Sequence, residues 1–177
     1  MTVKNKIERV AVIGAGSWGT AIATVLSRKA KTVMLWGHQE EHIHQLIVHR
    51  ENRRHLPGVV LRDNILPTSD LRDAVNNTKI VCAVVPSHSF RAVFEKMTPL
   101  LEDRAIVVSA IKGVENSTLM TMTQIMDQIL RQQQRQKDVQ SAVLSGPSFA
   151  KEVAQGIPTA VTIGCKDLKI ARYLQTV

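Results

Sequence analysis

The sequence predicts an α/β fold, a doubly wound and mostly parallel sheet with helices on both faces. Three observations predict it. Strand-like and helix-like segments alternate along the whole chain. The strand-like runs are continuously apolar, as in Ile80-Val81-Cys82-Ala83-Val84-Val85, which is the pattern of strands buried on both faces. The stretch Gly14-Ala15-Gly16-Ser17-Trp18-Gly19 is a complete G-x-G-x-x-G between an apolar run and an amphipathic helical pattern.

The first strand is Val10-Ala11-Val12-Ile13, and Ala21, Ile22, Val25 and Leu26 recur at helical spacing after the glycine turn. Strand, glycine turn and helix in that order are the context of a dinucleotide fingerprint. Gly14 permits the tight turn, Gly16 lets the backbone approach a pyrophosphate, and Gly19 brings the helix against the sheet. The free N–H groups and positive end of that helix would face the two phosphates.

A second strand over 32–36 closes at Gly37, and a polar helix over 40–49 runs into the loop Asn52-Arg53-Arg54-His55-Leu56-Pro57-Gly58. Ser69 and Asp70 are placed to cap a brief helix ending near Val75. A strand over 80–85 stops at Pro86, a helix covers 88–100, and a strand covers 105–109. Leu119, Met122, Ile125, Met126, Ile129 and Leu130 mark one face of a long helix, whose glutamine-rich end at 132–137 is expected to be solvated and frayed. Strand-like segments at 141–144 and 159–163 flank a short helix, making six or seven strands in all. Residues 168–177 read as a truncated helix, with neither glycine nor proline to end it.

The length of 177 residues fits one domain, taken here as 1–177. No apolar run approaches the ~20 residues of a membrane span, and the polar opening Met1-Thr2-Val3-Lys4-Asn5-Lys6 does not read as a signal peptide. Membrane insertion is therefore not expected, and a cytoplasmic location is. Cys82 and Cys165 lie far apart in apolar runs and read as reduced core residues. The net charge of +8 raises the question of nucleic acid, but the cations are spread along the chain and aromatics make up only 3% of it. Small polyanions such as dinucleotides and phosphorylated substrates suit such a surface better.

In sheets of this kind ligands bind beyond the carboxyl ends of the strands, where the strand order reverses. Gly14 to Gly19, Gly37-His38, Pro86-Ser87-His88, Lys112-Gly113-Val114-Glu115 and Ser145-Gly146-Pro147-Ser148-Phe149-Ala150 meet that condition. Gly14, Gly16, Gly19 and Pro86 are thus expected on the cofactor side, and Ser148 is expected to cap a helix whose amides near Ala150 face the crevice. The second strand ends in Gly37-His38-Gln39 where an NAD-specific site usually carries Asp or Glu. That favours NADPH, or mixed NADP and NAD use, unless His38 is only a surface loop residue. His38, His42, His44 and His49 lack the further ligands of a tetrahedral set, so a solvated polar helix is preferred to a metal site. The basic stretch 50–55 is read as solvated or near cofactor phosphate. No nucleophile elbow or Ser-His-Asp order supports hydrolase chemistry.

Taken together, these residues resemble the N-terminal domain of bacterial NAD(P)-dependent glycerol-3-phosphate dehydrogenase. The matching pieces are Val12 to Ala21, Leu35-Trp36-Gly37-His38, Leu56-Pro57-Gly58, Val85-Pro86-Ser87-His88, Lys112-Gly113-Val114-Glu115, Ser145 to Ala154 and Gly156-Ile157-Pro158-Thr159-Ala160. The resemblance implies a Rossmann-type NAD(P)-binding domain and hydride transfer between glycerol 3-phosphate and dihydroxyacetone phosphate, a reaction that feeds glycerophospholipid synthesis. It implies that Ser17 and Trp18 contact the dinucleotide, that His38 lies near the adenosine ribose, and that Ala150 lies beside the nicotinamide. It also implies that Lys112 reaches cofactor and substrate, and that Gly146 and Ser148 line the substrate site. His55 departs from the family, which more often has tyrosine before Leu-Pro. The acid/base lysine, the main phosphate grip and a dimer contact belong in the family to a helical C-terminal domain, so no catalytic residue is expected within this chain. The alternatives are an NAD(P)-sensing module and another two-domain dehydrogenase acting on a sugar acid or nucleotide sugar.

Overall fold

The computed structural model describes residues 7–177. The polar opening at 1–6 lies outside the described residues. Strand β1 (Ile7–Ile13) leads into helix α1 (Ser17–Leu26), followed by β2 (Ala30–Trp36), α2 (Glu40–His49), β3 (Ile65–Thr68) and α3 (Leu71–Val75). The chain continues through β4 (Ile80–Ala83), α4 (Ser87–Met97), β5 (Ile106–Ser109), α5 (Met122–Gln132), β6 (Gln140–Ser145), α6 (Ala150–Gln155), β7 (Thr162–Cys165) and α7 (Leu168–Leu174). The sheet order is β3-β2-β1-β4-β5-β6-β7, parallel throughout except that β7 runs antiparallel to β6.

Alternation along each strand divides the core in two. Ala11, Ile13, Met34, Val81, Ala83 and Val107 face α3, α4 and α5, and meet Phe90, Phe94, Met97, Ile125 and Ile129 there. Val10, Val12, Val33, Leu35, Cys82 and Val108 face the other way, toward Ile22, Ile43, Leu46 and Leu174. With two buried faces the strands need no polar side, which is why their sequences read as unbroken apolar runs. Two of the three phenylalanines, Phe90 and Phe94, stack with ring centroids 5.4 Å apart and fill the space between α4 and the sheet.

Some sequence expectations need correction and others hold. Strand β3 was not anticipated, because Pro67 interrupts its apolar pattern; at the sheet edge a missing N–H costs no inner ladder bond. The last strand lies at Thr162–Cys165 instead of 159–163. Leu119 is not on the face of α5: it is 74% exposed with φ of 57°, and the helix starts only after a capping box between Thr121 and Gln124. The glutamine-rich segment closes in an ordered turn, where Arg135 donates to the carbonyls of Leu101 (2.9 Å) and Thr98 (3.3 Å). Helix α7 ends at Leu174, and its last carbonyls are taken up by turn bonds from Gln175 to Val177. Asp70 caps α3 by accepting from the amides of Arg72 and Asp73. Cys82 and Cys165 are both free thiols, and burial pushes the Cys82 thiol up to about 12.

Phe94 has no exposed surface, so Phe94→Ala should lower unfolding free energy by about 3–5 kcal/mol through lost burial and the cavity left behind. Urea unfolding followed by circular dichroism measures this. A loss below about 1 kcal/mol would mean that the α4 side of the core collapses around the cavity.

Candidate functional site

Strand order reverses between β1 and β4, because α1 and α2 lie on one face of the sheet while α4 and α5 lie on the other. The loops leaving these two strands diverge, and the gap between them is a crevice of about 610 Å³. Its floor is the glycine turn. Gly14 has φ of +127°, and a Cβ on it would lie 2.9 Å from the backbone of Val84 and Val85. A Cβ on Gly19 would lie 1.7 Å from the Gly14 carbonyl oxygen. These two glycines are required by the protein itself. Gly16 is different: its backbone is ordinary extended chain (φ −79°, ψ −171°), and a Cβ there would meet no protein atom within 4 Å. It would project into open space at the uncapped start of α1, where no side chain satisfies the first amides.

The turn is held from behind by residues that sequence reading missed. Asn52 is fully buried and donates from Nδ2 to the Ala15 carbonyl (3.0 Å) and to Thr20 Oγ1 (2.7 Å). His42 Nε2 lies 3.1 Å from the same carbonyl. A carbonyl only accepts, so Nε2 carries the proton in this contact. Both lone pairs of the Ala15 oxygen are thereby used. Since the peptide is trans, the Gly16 N–H is turned away from Asn52 and His42. The Thr20 hydroxyl in turn donates to the Gly16 carbonyl (2.8 Å).

At the far end, the Trp18 indole N–H crosses from α1 to the Ala110 carbonyl just after β5 (3.0 Å). Lys112 follows, and its ammonium donates to the Ser148 carbonyl (3.1 Å). Gly146 has φ of +154°, and a Cβ there would lie 2.8 Å from the Ala160 carbonyl oxygen. The Lys112 loop is tied down by a two-pronged ion pair from Arg91 on α4 to Glu115, both bonds 2.8 Å long. Gln128 accepts from the same guanidinium (2.8 Å), and the Thr118 hydroxyl donates to Glu115. These bonds, those from Arg91 first and Thr118 second, hold the Glu115 carboxyl down at about 2.

Of the positions singled out from sequence, Gly14, Gly16, Ser17, Trp18, His38, Pro86, Lys112, Ser148 and Ala150 line the crevice. Gly19 lies beneath it against Gly14, and Gly146 lines a smaller adjoining cavity of about 280 Å³ with Lys112 and Ser148. Ser148 is not the helix cap: Phe149 occupies that position without a side-chain bond, and Ser148 is buried and serves through its carbonyl. The stretch 50–55 is divided in its roles. Arg50 binds the carbonyls of Arg62 and Ile65, Arg53 pairs with Glu51, and Arg54 and His55 line the crevice. Among the described residues the crevice wall contains no Asp or Glu. Its charged and titratable groups are His38, His42, Arg54 and His55 at one end and Lys112 at the other. Such a surface attracts extended anions with charge at two separated points.

Fold, glycine turn and crevice together define a doubly wound domain of the Rossmann type. The family model for the NAD-dependent glycerol-3-phosphate dehydrogenase N-terminus matches residues 9–171, and the chain belongs to this family. It is 47% identical over 175 residues to glycerol-3-phosphate dehydrogenase [NAD(P)+] of Desulfotalea psychrophila, covering 99% of this chain and 52% of that protein. The crystal structure of glycerol-3-phosphate dehydrogenase from Coxiella burnetii superimposes with a TM-score of 0.85 at 31% identity, covering 95% of this chain and 50% of that one. The UDP-D-ManNAc dehydrogenase of Pyrococcus horikoshii shares the fold, with a TM-score of 0.78 at 13% identity over 95% of this chain and 43% of that one. The chain spans about half the length of the curated relatives it matches. No helix among the described residues is long and apolar enough to cross a membrane.

The Glu115 carboxyl is held below its ordinary value of 4.5, so its ion pair stabilises the fold fully above that value and loses its effect as pH falls toward about 2. Glu115→Gln should therefore be less stable than the parent at neutral pH, and the two should converge on acidification below about pH 4.5. Urea midpoints measured across that range test this; a difference independent of pH would show that the pair is not what the substitution removes.

Proposed function

We propose that this chain is the cofactor-binding half of an oxidoreductase that interconverts sn-glycerol 3-phosphate and dihydroxyacetone phosphate by hydride transfer with NAD(P). The observation that carries the cofactor part is the open space at Gly16 beside the uncapped start of α1, in a crevice that contains no carboxylate. A pyrophosphate fits there: it needs backbone amides at close range, a helix N-terminus and no competing anion. The volume of about 610 Å³ lies within the range of cofactor sites. The bound nicotinamide would carry the hydride. Gly14, Gly16, Ser17, Trp18 and Gly19 would form the phosphate side of the site, with Pro86 and Ala150 toward the nicotinamide end. His38, at the end of β2, would face the adenosine ribose; with no acid at that point a 2′-phosphate is not repelled, which favours NADPH.

The substrate part rests on the family relationship and on Lys112. An ammonium fixed at a strand end, bonded to the Ser148 carbonyl and clear of any carboxylate, can hold a phosphate or stabilise a developing alkoxide. Gly146 and Ser148 would complete the near wall. The proton donor for the new hydroxyl and the main phosphate grip are assigned to a second, helical domain outside these 177 residues. Domain 1–177 would thus bind cofactor without turning over. Cytoplasmic residence and a homodimer built through that second domain belong to the same reading.

Gly16→Val should weaken NADPH binding at least tenfold while leaving the unfolding midpoint near that of the parent, because the added side chain meets only the crevice. Calorimetric titration and thermal melting measure both; unchanged affinity would place the site elsewhere. The 177-residue chain should bind NADPH yet show no dihydroxyacetone phosphate reduction, whereas the family's two-domain form should turn over. In that form Lys112→Ala should cost two or more orders of magnitude, about 3 kcal/mol or more, in kcat/KM with little change in melting temperature. Steady NADPH oxidation by the short chain would overturn this division and direct the search for a base to Lys112, His88 and Lys151.

A further inference from the structure

The adenosine end of the crevice contains a group of side chains that the family motifs do not account for. The His55 ring stands edge-on to the His42 ring, with centroids 5.0 Å apart and planes at 78°. His42 is fixed by its proton on Nε2, bonded to the Ala15 carbonyl, with its ring edge turned to His55. Arg54, the residue before His55, reaches across to Gln39 Oε1 (3.2 Å) at the N-cap of α2. All four side chains line the same crevice, together with His38.

The acids nearby in sequence are committed elsewhere or stand outside. Glu51 accepts from the Gly58 amide (2.8 Å) and pairs with Arg53 (3.3 Å). Glu41 accepts from Gln45 (2.8 Å), and Glu40 is exposed at the start of α2. Neither the glycine turn nor the start of α6 adds charge: Phe149 and Ala150 are what α6 presents to the crevice. The groups acting on His55 are therefore His42 from α2 and Arg54 from its own loop, and both disfavour a positive charge on its ring.

We propose that His55, with Arg54 beside it and His42 against it, is a proton-accepting phosphate subsite that makes the choice between NADPH and NADH depend on pH. The inference rests on the dinucleotide reading above and adds to it a specificity-determining residue. Partial desolvation first, and then His42 and Arg54, hold the half-open His55 imidazole below its ordinary value, so the free site favours the neutral ring. A phosphate monoester with close to two negative charges reverses that balance and draws a proton onto the ring. The sign follows from linkage. A group whose pKa rises on binding contributes affinity that is complete below its free value and lost as pH rises through its bound value. NADH carries no 2′-phosphate and draws no such proton. Arg54, charged at every relevant pH, supplies the part of the preference that does not change.

The test is calorimetric titration of the chain with NADPH and with NADH between about pH 8.5 and about pH 6.5, a range in which the phosphate itself stays mostly dianionic. Each titration is repeated in buffers of different ionisation enthalpy to count protons taken up. The expected result is a ratio of NADPH to NADH affinity that rises about tenfold toward the lower pH, with proton uptake for NADPH only. In His55→Tyr the ratio should become flat and the extra uptake should vanish. If both dinucleotides bind with a ratio independent of pH, this inference fails and the dinucleotide reading stands. If neither binds, the dinucleotide reading itself fails. A pH-dependent ratio that persists in His55→Tyr would overturn the assignment to His55.

Discussion

The approach of helix α1 to the end of β1 is the constraint on which the rest of the molecule depends. Gly19 and Gly14 touch so closely that a methyl group on Gly19 would overlap the Gly14 carbonyl, and Gly14 itself lies against the backbone joining β4 to α4. Three elements are therefore locked at one point: the first strand, the first helix and the strand across the reversal of order. Because α1 sits this close, its uncapped end opens at the crevice floor, and Trp18 in its first turn can reach the carbonyl that follows β5. The same proximity places Thr20 where Asn52 bonds it, so the loop after α2 is fastened to the glycine turn and not merely packed beside it.

Charge is arranged around this point with equal economy. A crevice whose described wall has basic groups and no acid would gain nothing from Lys112 if a neighbouring carboxylate neutralised it. Glu115 lies only three residues away, but Arg91 engages both of its oxygens and Thr118 adds a further bond. The pair satisfies a mostly buried carboxylate and anchors the loop to α4 at the same time. It also leaves the lysine bonded only to a neutral carbonyl, so the field at that end of the crevice stays positive.

The contrast between what could and could not be read from the sequence has a physical basis. Period and punctuation revealed the doubly wound sheet, the glycine turn and the strand ends, because burial on two faces and φ-dependent turns act on consecutive residues. Strand β3 escaped since Pro67, tolerable only at an edge, reads locally as a breaker. The direction of β7 escaped because an apolar run does not encode its polarity. Leu119 misled for a related reason: its spacing suits α5, yet its left-handed backbone places it in the preceding turn, whose start is set by the Thr121 cap. Around the crevice, residues on strand-end loops are legible in the sequence and their supports are not. Asn52 is one amide in a basic loop, and its role arises from contacts 32 and 37 residues away. Arg91 and Glu115, 24 residues apart, meet only because β4 and β5 are neighbours.

Those unread supports decide how the crevice can work. A dinucleotide that had to order its own binding loops would lose affinity for each residue immobilised. Here the glycine turn is held by two donors on one carbonyl, the α2 loop by a buried amide, and the Lys112 loop by a doubly bonded ion pair. None of these bonds uses a group that a ligand at Gly16 would need. The amides at the start of α1 and the histidine rings near His38 remain available, while the atoms that position the glycine turn are already satisfied. Rigidity and vacant bonding capacity are thus carried by different residues, the condition under which binding energy goes into recognition instead of ordering. Phe149 is the exception. It is 67% exposed at the crevice rim and opens the short helix α6 without a capping bond. A ligand reaching from the glycine turn toward Ala150 would cover that ring, gaining apolar burial where the protein has made no polar commitment of its own.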